Sequence, residues 1–293
     1  MMSVYVWTDI DLDGAGAYTV MTWLYGSKLP FTASSVSRVG SEFESWYAIK
    51  GSNYDHIYVL DLDVSQHIEI FDKPNVIVID HHALHVDNKH KYKNAKVILS
   101  KYPSATKLLY STFKDKLKLN KFQKYLIALV DDYDSYTLNF PESKPMNHWF
   151  WELTGNRVAI FNEKYSNGFR GFDKMQLHVI EMFNRKVKRL VKTADRFYGK
   201  VQFEGKLYSI LGTDVTSAIN EVLHQMITEE GVDFAFTFNS ATKSISFRRA
   251  DDCDIELHKF AEKLCKGGGH SAAAGGKSTD RFIEFTKTLK NTQ

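Results

Sequence analysis

The sequence predicts an α/β protein: an N-terminal, mostly parallel sheet flanked by helices, a long connector helix, and a smaller C-terminal α/β domain. Three observations carry this. The chain has 293 residues, about two domains at roughly 150 residues each. In its first half, short and continuously apolar runs alternate with helical patterns, the rhythm of strands buried on both faces of a parallel sheet. After Gly199 the rhythm changes to a hairpin and paired strands. The expected divisions are 1–145, 146–199 and 200–293.

The elements follow in order. Val4-Tyr5-Val6-Trp7 is β-rich and runs into an acidic turn that ends at Gly14. A helix is expected over 15–25, closed by Gly26 as its C-cap. Residues 56–60 and 76–79 are too apolar to have a wet face and read as buried strands. Helical patterns recur at 104–113 and 121–130. From 141 to 198 no strand pattern appears, and the dense aromatics there (Trp149, Phe150, Trp151, Phe161, Phe169, Phe172) read as packing between helices. Residues 173–198 read as one helix of about 25 residues, spanning roughly 40 Å. It places Arg185, Arg189, Lys192 and Arg196 on one side and Val187, Val191 and Ala194 on another. Beyond it, 201–203 and 207–211 flank Glu204-Gly205-Lys206 as a hairpin. A helix at 215–228, strands at 234–239 and 243–247, a helix at 255–266 and a run of glycines complete the chain.

Composition bounds the class. Hydrophobic residues at 43% and charged residues at 25% exclude a mostly disordered chain, a fibrous repeat and a small disulfide scaffold. The 38 Lys and Arg against 35 Asp and Glu give a net charge of +3, too small to argue for nucleic acid by itself. Cys253 and Cys265 form neither a disulfide framework nor a metal-ligand spacing. The N-terminus lacks the pattern of a signal peptide, and no apolar run reaches the roughly 18 residues of a membrane span. A cytoplasmic location is expected.

Acidic and imidazole groups gather at the ends of the first-half elements. Asp9-Ile10-Asp11-Leu12-Asp13-Gly14 follows the first strand, Asp61-Leu62-Asp63 the second, and Asp80-His81-His82 the third. Asp131-Asp132-Tyr133-Asp134 follows the helical run at 125–130. The carboxyl ends of neighbouring parallel strands converge on one crevice, so residues more than 100 apart can meet there. So many carboxylates cannot all ionise together without a counter-charge, and no Lys or Arg stands among them. Divalent cations resolve that conflict. Oxygen ligands with imidazole suit Mn²⁺ best, with Mg²⁺, Fe²⁺ or Co²⁺ as alternatives. Two such ions can hold a hydroxide and clamp both the attacking and the leaving oxygen of a phosphoryl displacement.

In order and spacing, these four motifs resemble those of the DHH phosphoesterases. Gly267-Gly268-Gly269-His270-Ser271-Ala272-Ala273-Ala274-Gly275 resembles the glycine-rich signature of the DHH-associated C-terminal domain. Ile245-Ser246-Phe247-Arg248 resembles that domain's Ser-apolar-Arg strand. The resemblance covers nearly the whole chain and leaves 141–172 unmatched. It implies a catalytic metal-binding domain at 1–145, a helical connector at 146–199 and a substrate-binding domain at 200–293.

The resemblance also implies roles. Asp9, Asp11, Asp13, Asp61, His81 and Asp132 would be metal ligands, with Asp61 bridging two Mn²⁺ ions (Mg²⁺, Co²⁺ or Fe²⁺ as alternatives). Asp63 and Asp131 are the alternatives to Asp61 and Asp132. Many members carry His where Asp9 stands, and RecJ-type members carry Asp. His82 would contact the scissile phosphate, with Asp61 and Asp80 completing the catalytic group. Arg248, Gly267, Gly268, Gly269 and His270 would hold the substrate, the glycines by letting backbone N–H groups approach an anion. The implied activity is metal-dependent hydrolysis of phosphodiester or phosphomonoester bonds in short oligonucleotides or small nucleotides, held between the two domains. A RecJ-like single-strand exonuclease and a non-catalytic nucleotide-binding module are the alternatives. Expected partners are the short oligonucleotide or nucleotide, with single-stranded nucleic acid and a homodimer left open, and no membrane. Two basic clusters, at 114–124 and 185–200, read as solvated helix faces; the second is the better candidate for a nucleic-acid backbone.

Overall fold

The computed structural model describes residues 2–291, so the outermost ends of the expected domains, residues 1 and 292–293, lie outside the described residues. The chain divides into two compact units, Met1–Ile180 and Glu181–Gln293. Residues 146–180 of the expected connector therefore belong to the first unit and 181–199 to the second.

The first unit is built on a five-stranded parallel sheet. Its elements are β1 (Val4–Thr8), α1 (Leu12–Tyr25), β2 (Phe31–Ala33), α2 (Val36–Lys50), β3 (His56–Leu60), α3 (Ile68–Phe71), β4 (Val76–Asp80), α4 (Ala83–Asp87), β5 (Lys96–Leu99), α5 (Ala105–Phe113), α6 (Lys121–Asp134), α7 (Ser143–Glu152) and α8 (Arg157–Tyr165). The strand order is β2-β1-β3-β4-β5. The chain moves outward from β1 to β2, then crosses to β3 on the other side of β1, so β1 and β3 flank the point where strand order reverses. Register aligns the carboxyl ends: Thr8 pairs with Leu60, and Leu60 with Ile79. Asp9, Asp61 and Asp80 consequently leave the sheet at one level.

Two hydrophobic clusters, one on each face, hold this sheet. Leu60 and Ile79 pack with α1, α5 and α6, while Val59 and Val78 pack with Phe43 and Phe71. Helix α1 starts earlier than its apolar pattern suggests, at Leu12 rather than at residue 15, because the Asp11 side chain accepts from the Gly14 amide at 2.9 Å and caps it. Asp13 thereby sits in the first helical turn. Gly14 is required, since a Cβ there would collide with the Asp9 carbonyl. Strands β2 and β5 escape sequence reading because both lie at the sheet edges and are short. The aromatic stretch packs as expected: Met146, Trp149, Phe150, Phe161 and Tyr165 join the α1 side of the core.

Helix α9 (Lys174–Thr193) is shorter than the expected 173–198. It stops because Phe197–Phe203 forms β6, paired along its length with β7 (Lys206–Thr213), and the Arg196 guanidinium takes the Val191 carbonyl at 2.6 Å. The remaining elements are α10 (Ile219–Glu230), β8 (Phe234–Asn239), β9 (Ser244–Arg249), α11 (Leu257–Cys265), β10 (Gly268–Gly269), β11 (Ala273–Lys277), α12 (Asp280–Thr286) and β12 (Lys290–Asn291). Helix α10 begins at Ile219 rather than at residue 215 because Ala218 is left-handed and breaks the pattern. The second unit's sheet runs β10-β11-β9-β8-β7-β6-β12, with β7 and β8 parallel and the other pairs among the described residues antiparallel. Glu204 and Gly205, at φ 48° and 82°, make the tight turn between β6 and β7. Phe234, Phe247, Phe260 and Phe282 fill one face, and Val187, Val191, Leu223 and Met226 the other.

Candidate metal centre

The site begins with His81, which leaves β4 just past Asp80. Its Nδ1 lies 3.1 Å from the Tyr102 carbonyl, an acceptor only, so Nδ1 carries a proton and Nε2 is the nitrogen able to ligate. That Nε2 is 3.4 Å from Asp61 Oδ1, 3.5 Å from Asp134 Oδ2 and 3.7 Å from Asp13 Oδ2. Asp61 follows β3 with φ at 57°, a left-handed backbone unusual for a residue with a side chain, held by its amide bonding the Ile79 carbonyl at 3.0 Å. Asp13 is fixed from behind, since its two carboxylate oxygens accept from the Ala105 and Thr106 amides at 2.6 and 2.9 Å at the start of α5.

These carboxylates crowd together in a buried to half-buried site, and the charge of His82 offsets only part of theirs. Burial raises the Asp61 carboxyl well above the usual range, and the neighbouring Asp13, Asp11, Asp134 and Asp9 raise it further. Burial, then Asp13 and Asp11, lift Asp134 in the same way. Asp11 is raised by burial and Asp13, and Asp9 is pushed up to about 8 by burial and Asp11. The Oδ2 atoms of Asp61 and Asp134 are buried with no hydrogen-bond partner among the described residues. Orphaned oxygens cost free energy unless something binds them. Asp13, His81 and Asp134 offer ligand atoms within 4.8 Å of one another, as do Asp61, Asp80, His81 and His82. Oxygen donors with imidazole and no thiolate fit a hard or borderline divalent ion.

Asp80 has a different place from the ligands. Its Oδ1 receives His82 Nδ1 at 2.8 Å and its Oδ2 receives His85 Nδ1 at 2.6 Å. His85 Nε2 in turn meets the Tyr92 hydroxyl at 2.7 Å, which occupies both nitrogens of that ring. Burial works to raise the Asp80 carboxyl, but the two imidazoles overcome it and hold it below the ordinary range. Burial opposes charge on His82, yet Asp80 and then Asp63 and Asp134 lift it to about 10, so it is an imidazolium at neutral pH.

Among the expected ligands the structure brings together Asp13, Asp61 and His81, with Asp9 and Asp11 on the loop that borders them. It does not bring Asp132. That side chain is turned into the following loop, where it accepts from Thr137 Oγ1, Ser143 Oγ and the Asn139 and Phe140 amides at 2.6–3.0 Å. The alternative Asp131 pairs with Lys107 at 3.0 Å and accepts from Ser104 Oγ at 2.8 Å. Asp134, at the last position of α6, is the acid that reaches His81. Three acids within four residues on one helix turn face different ways, and the sequence has no mark that distinguishes them. His85 and Tyr92 were likewise missed, although His85 stands only three residues past the His81-His82 pair. Asp63, the alternative to Asp61, accepts from the Ser65 amide at 3.0 Å and lies 3.9 Å from His85 Nδ1.

In the second unit Arg248 is buried on β9, opposite Ala273 of β11. Gly268 and Gly269 pair with Gly275 and Ala274 as β10, so the glycine run is an edge strand rather than an open loop. Gly267 is required there, because a Cβ would strike the Gly275 carbonyl. His270 turns the chain, its amide donating to the Ala273 carbonyl at 2.8 Å. Arg248, Gly267, Gly268, Gly269 and His270 thus share one end of one sheet.

Fold and site together define a two-unit α/β protein whose parallel sheet gathers buried acids and a histidine suited to a metal ion. No protein-family model and no curated protein matches the chain. Solved structures do, and the fold is that of DHH-domain proteins. A pGpG-specific phosphodiesterase, PggH from Vibrio cholerae, is similar with a TM-score of 0.56 and 11% identity, over 97% of this chain and 96% of that one. A DHH domain from a protein assigned to a family of ribosomal proteins has a TM-score of 0.54 and 14% identity, over 99% and 87%. RecJ from Thermus thermophilus, in complex with Mn²⁺, has a TM-score of 0.51 and 15% identity, over 97% of this chain and 51% of that one. Among the described residues, no helix is long and apolar enough to cross a membrane.

Proposed function

We propose that this chain is a divalent-metal-dependent phosphoesterase that hydrolyses phosphodiester or phosphomonoester bonds of short oligonucleotides or small nucleotides. The observation that carries this is the convergence of Asp13, Asp61 and Asp134 on His81 Nε2 within 3.4–3.7 Å, with two buried carboxylate oxygens left without partners. The fold shared with a pGpG-specific phosphodiesterase and with Mn²⁺-bound RecJ supports the same reading.

Asp13, Asp61, His81 and Asp134, with Asp9 and Asp11 beside them, would hold divalent ions, two Mn²⁺ in this reading. Bound ions supply Lewis acidity and an acidified water for attack on phosphorus. The protein does the rest. Tyr102 fixes the tautomer of His81, and Asp80 fixes the ring of His82. His82, cationic and only partly buried, can donate to a non-bridging phosphate oxygen where charge builds in the transition state. Arg248 and the Gly267–Gly269 edge, with His270, are assigned to gripping a substrate phosphate.

A substrate panel tests this: 5′-labelled dinucleotides, 3′-phosphonucleotides and a cyclic dinucleotide, each incubated with Mn²⁺ and scored by product size. Metal-dependent product from at least one is expected. Tight nucleotide binding with no product from any of them would make the chain a binding module instead.

A further inference from the structure

A cavity of about 360 Å³ opens at the end of the parallel sheet opposite the metal centre. Its walls come from the amino ends of β3, β4 and β5 and the carboxyl ends of α1 and α5. His56 and Lys96 are the first residues of β3 and β5, and Tyr25 and Phe113 are the last of α1 and α5. Three of these elements serve the metal centre at their other ends. Asp13 lies in the first turn of α1, Asp61 follows β3, and the start of α5 holds the Asp13 carboxylate. The five residues of β3 therefore separate the cavity from Asp61 by roughly 15 Å.

The cavity is apolar and aromatic inside and cationic at its rim. Ile77 and the rings of Tyr25, Tyr58 and Phe113 line it. The hydroxyls of Tyr25 and Tyr58 lie 2.9 Å apart. Two phenols carry two O–H protons and share one between them, so the second has no acceptor among the described residues. Lys96 and Lys116 are exposed, and among the described residues neither ammonium forms an ion pair or a hydrogen bond. Lys116 belongs to the basic cluster at 114–124, and no acidic side chain lines the cavity to neutralise either lysine. The carboxyl ends of α1 and α5 work against an anion here. Their effect is reduced because the Thr22 carbonyl takes the Gly26 and Ser27 amides, and the Phe113 carbonyl takes the Lys116 and Leu117 amides at 2.9 and 3.2 Å. They still disfavour a doubly charged group, and the lining has neither a guanidinium nor the amino end of a helix, the usual seats of a phosphate.

We propose that this cavity binds a small aromatic carboxylate. The rings of Tyr25, Tyr58 and Phe113, with Ile77, take the ligand's ring. Lys96 and Lys116 take its carboxylate, and the spare hydroxyl of the tyrosine pair is a further donor. Small-molecule sites run to roughly 300–1,000 Å³, and a volume at the lower end of that range holds one or two fused rings rather than an oligonucleotide. The site is separate from the metal centre and does not depend on which reaction is catalysed there.

The test is calorimetric titration of 2-naphthoate into the full chain, once with excess chelator and once with saturating Mn²⁺. Wild type, Lys96→Ala, Lys116→Ala and Lys118→Ala are compared; all three lysines are exposed, so the variants keep the fold. Saturable one-to-one binding is expected, with the same Kd in chelator and in Mn²⁺. Lys96→Ala and Lys116→Ala should each raise Kd about three- to fivefold. Lys118→Ala, in the same basic cluster but outside the lining, should leave it near wild type. The neutral analogue 2-naphthalenemethanol should bind about tenfold more weakly than the carboxylate. Absence of saturable binding, binding that requires Mn²⁺, or an equal effect of all three substitutions would overturn the site. Tighter binding of uridine 5′-monophosphate than of 2-naphthoate would overturn the ligand class.

Discussion

His81 and Asp134 meet across the carboxyl end of the parallel sheet, Nε2 to Oδ2 at 3.5 Å, although 53 residues separate them in sequence (134 − 81). Asp132, two residues before Asp134, takes no part in that meeting. The two acids should therefore fail in different ways. Asp134→Asn is expected to weaken Mn²⁺ binding by about tenfold or more, with little loss of stability. Asp132→Asn should leave Mn²⁺ affinity near wild type, yet lower stability by about 2–3 kcal/mol and the melting temperature by about 5–10 °C, because buried hydrogen bonds to a charged acceptor are lost. Calorimetric titration and thermal melts of the two variants check this pair of outcomes.

The crowded acids predict an unusual pH dependence for the metal-free protein. Asp9 is raised to about 8 in the fold, from 3.8, by burial and then Asp11; Asp11, Asp61 and Asp134 are raised as well. Between about pH 4 and pH 8 the folded chain binds more protons at these groups than the unfolded one, so their stability contribution falls as pH rises through that window. His82, raised to about 10 from 6.5, adds to the fall in the upper part of it. Urea melts of chelated protein should show lower stability at pH 8 than at pH 5, and saturating Mn²⁺ should remove or reverse the slope. A metal-free protein that gains stability from pH 5 to 8 would count against the cluster as described.

The Asp80 clamp gives a graded series. Tyr92→Phe removes one hydrogen bond from His85 and is expected to cost about 1 kcal/mol, with Mn²⁺ affinity kept. His85→Ala leaves one Asp80 oxygen without its donor in a fully buried site, and should cost about 2–4 kcal/mol. If Asp80 positions His82 through this chain, turnover falls in the same order while KM changes less. Steady-state kinetics on the three proteins would show whether the order holds.

Much of this was legible in the sequence, and the reasons are physical. A parallel sheet buried on both faces writes itself as apolar runs such as 56–60 and 76–79, and in-register strand ends must bring Asp9, Asp61 and Asp80 to one level. Period and turn chemistry exposed the hairpin around Gly205 in the same way. What remained hidden depends on side-chain direction or on long-range pairing. Asp131, Asp132 and Asp134 share a composition and differ only in rotation about α6. Tyr198 reads as the continuation of a helix until β7 is there to pair with β6. Asp11 reads as a metal ligand in the sequence, where nothing marks that its side-chain oxygen also caps α1.

The most direct test of the central claim is hydrolysis of a labelled dinucleotide by the full chain with Mn²⁺, with excess chelator, and by Asp61→Asn and Asp134→Asn. Product is expected only from the wild type with Mn²⁺, each substitution lowering turnover by about a hundredfold or more. Undiminished cleavage in the presence of chelator, or in both variants, would contradict a metal centre built from these acids.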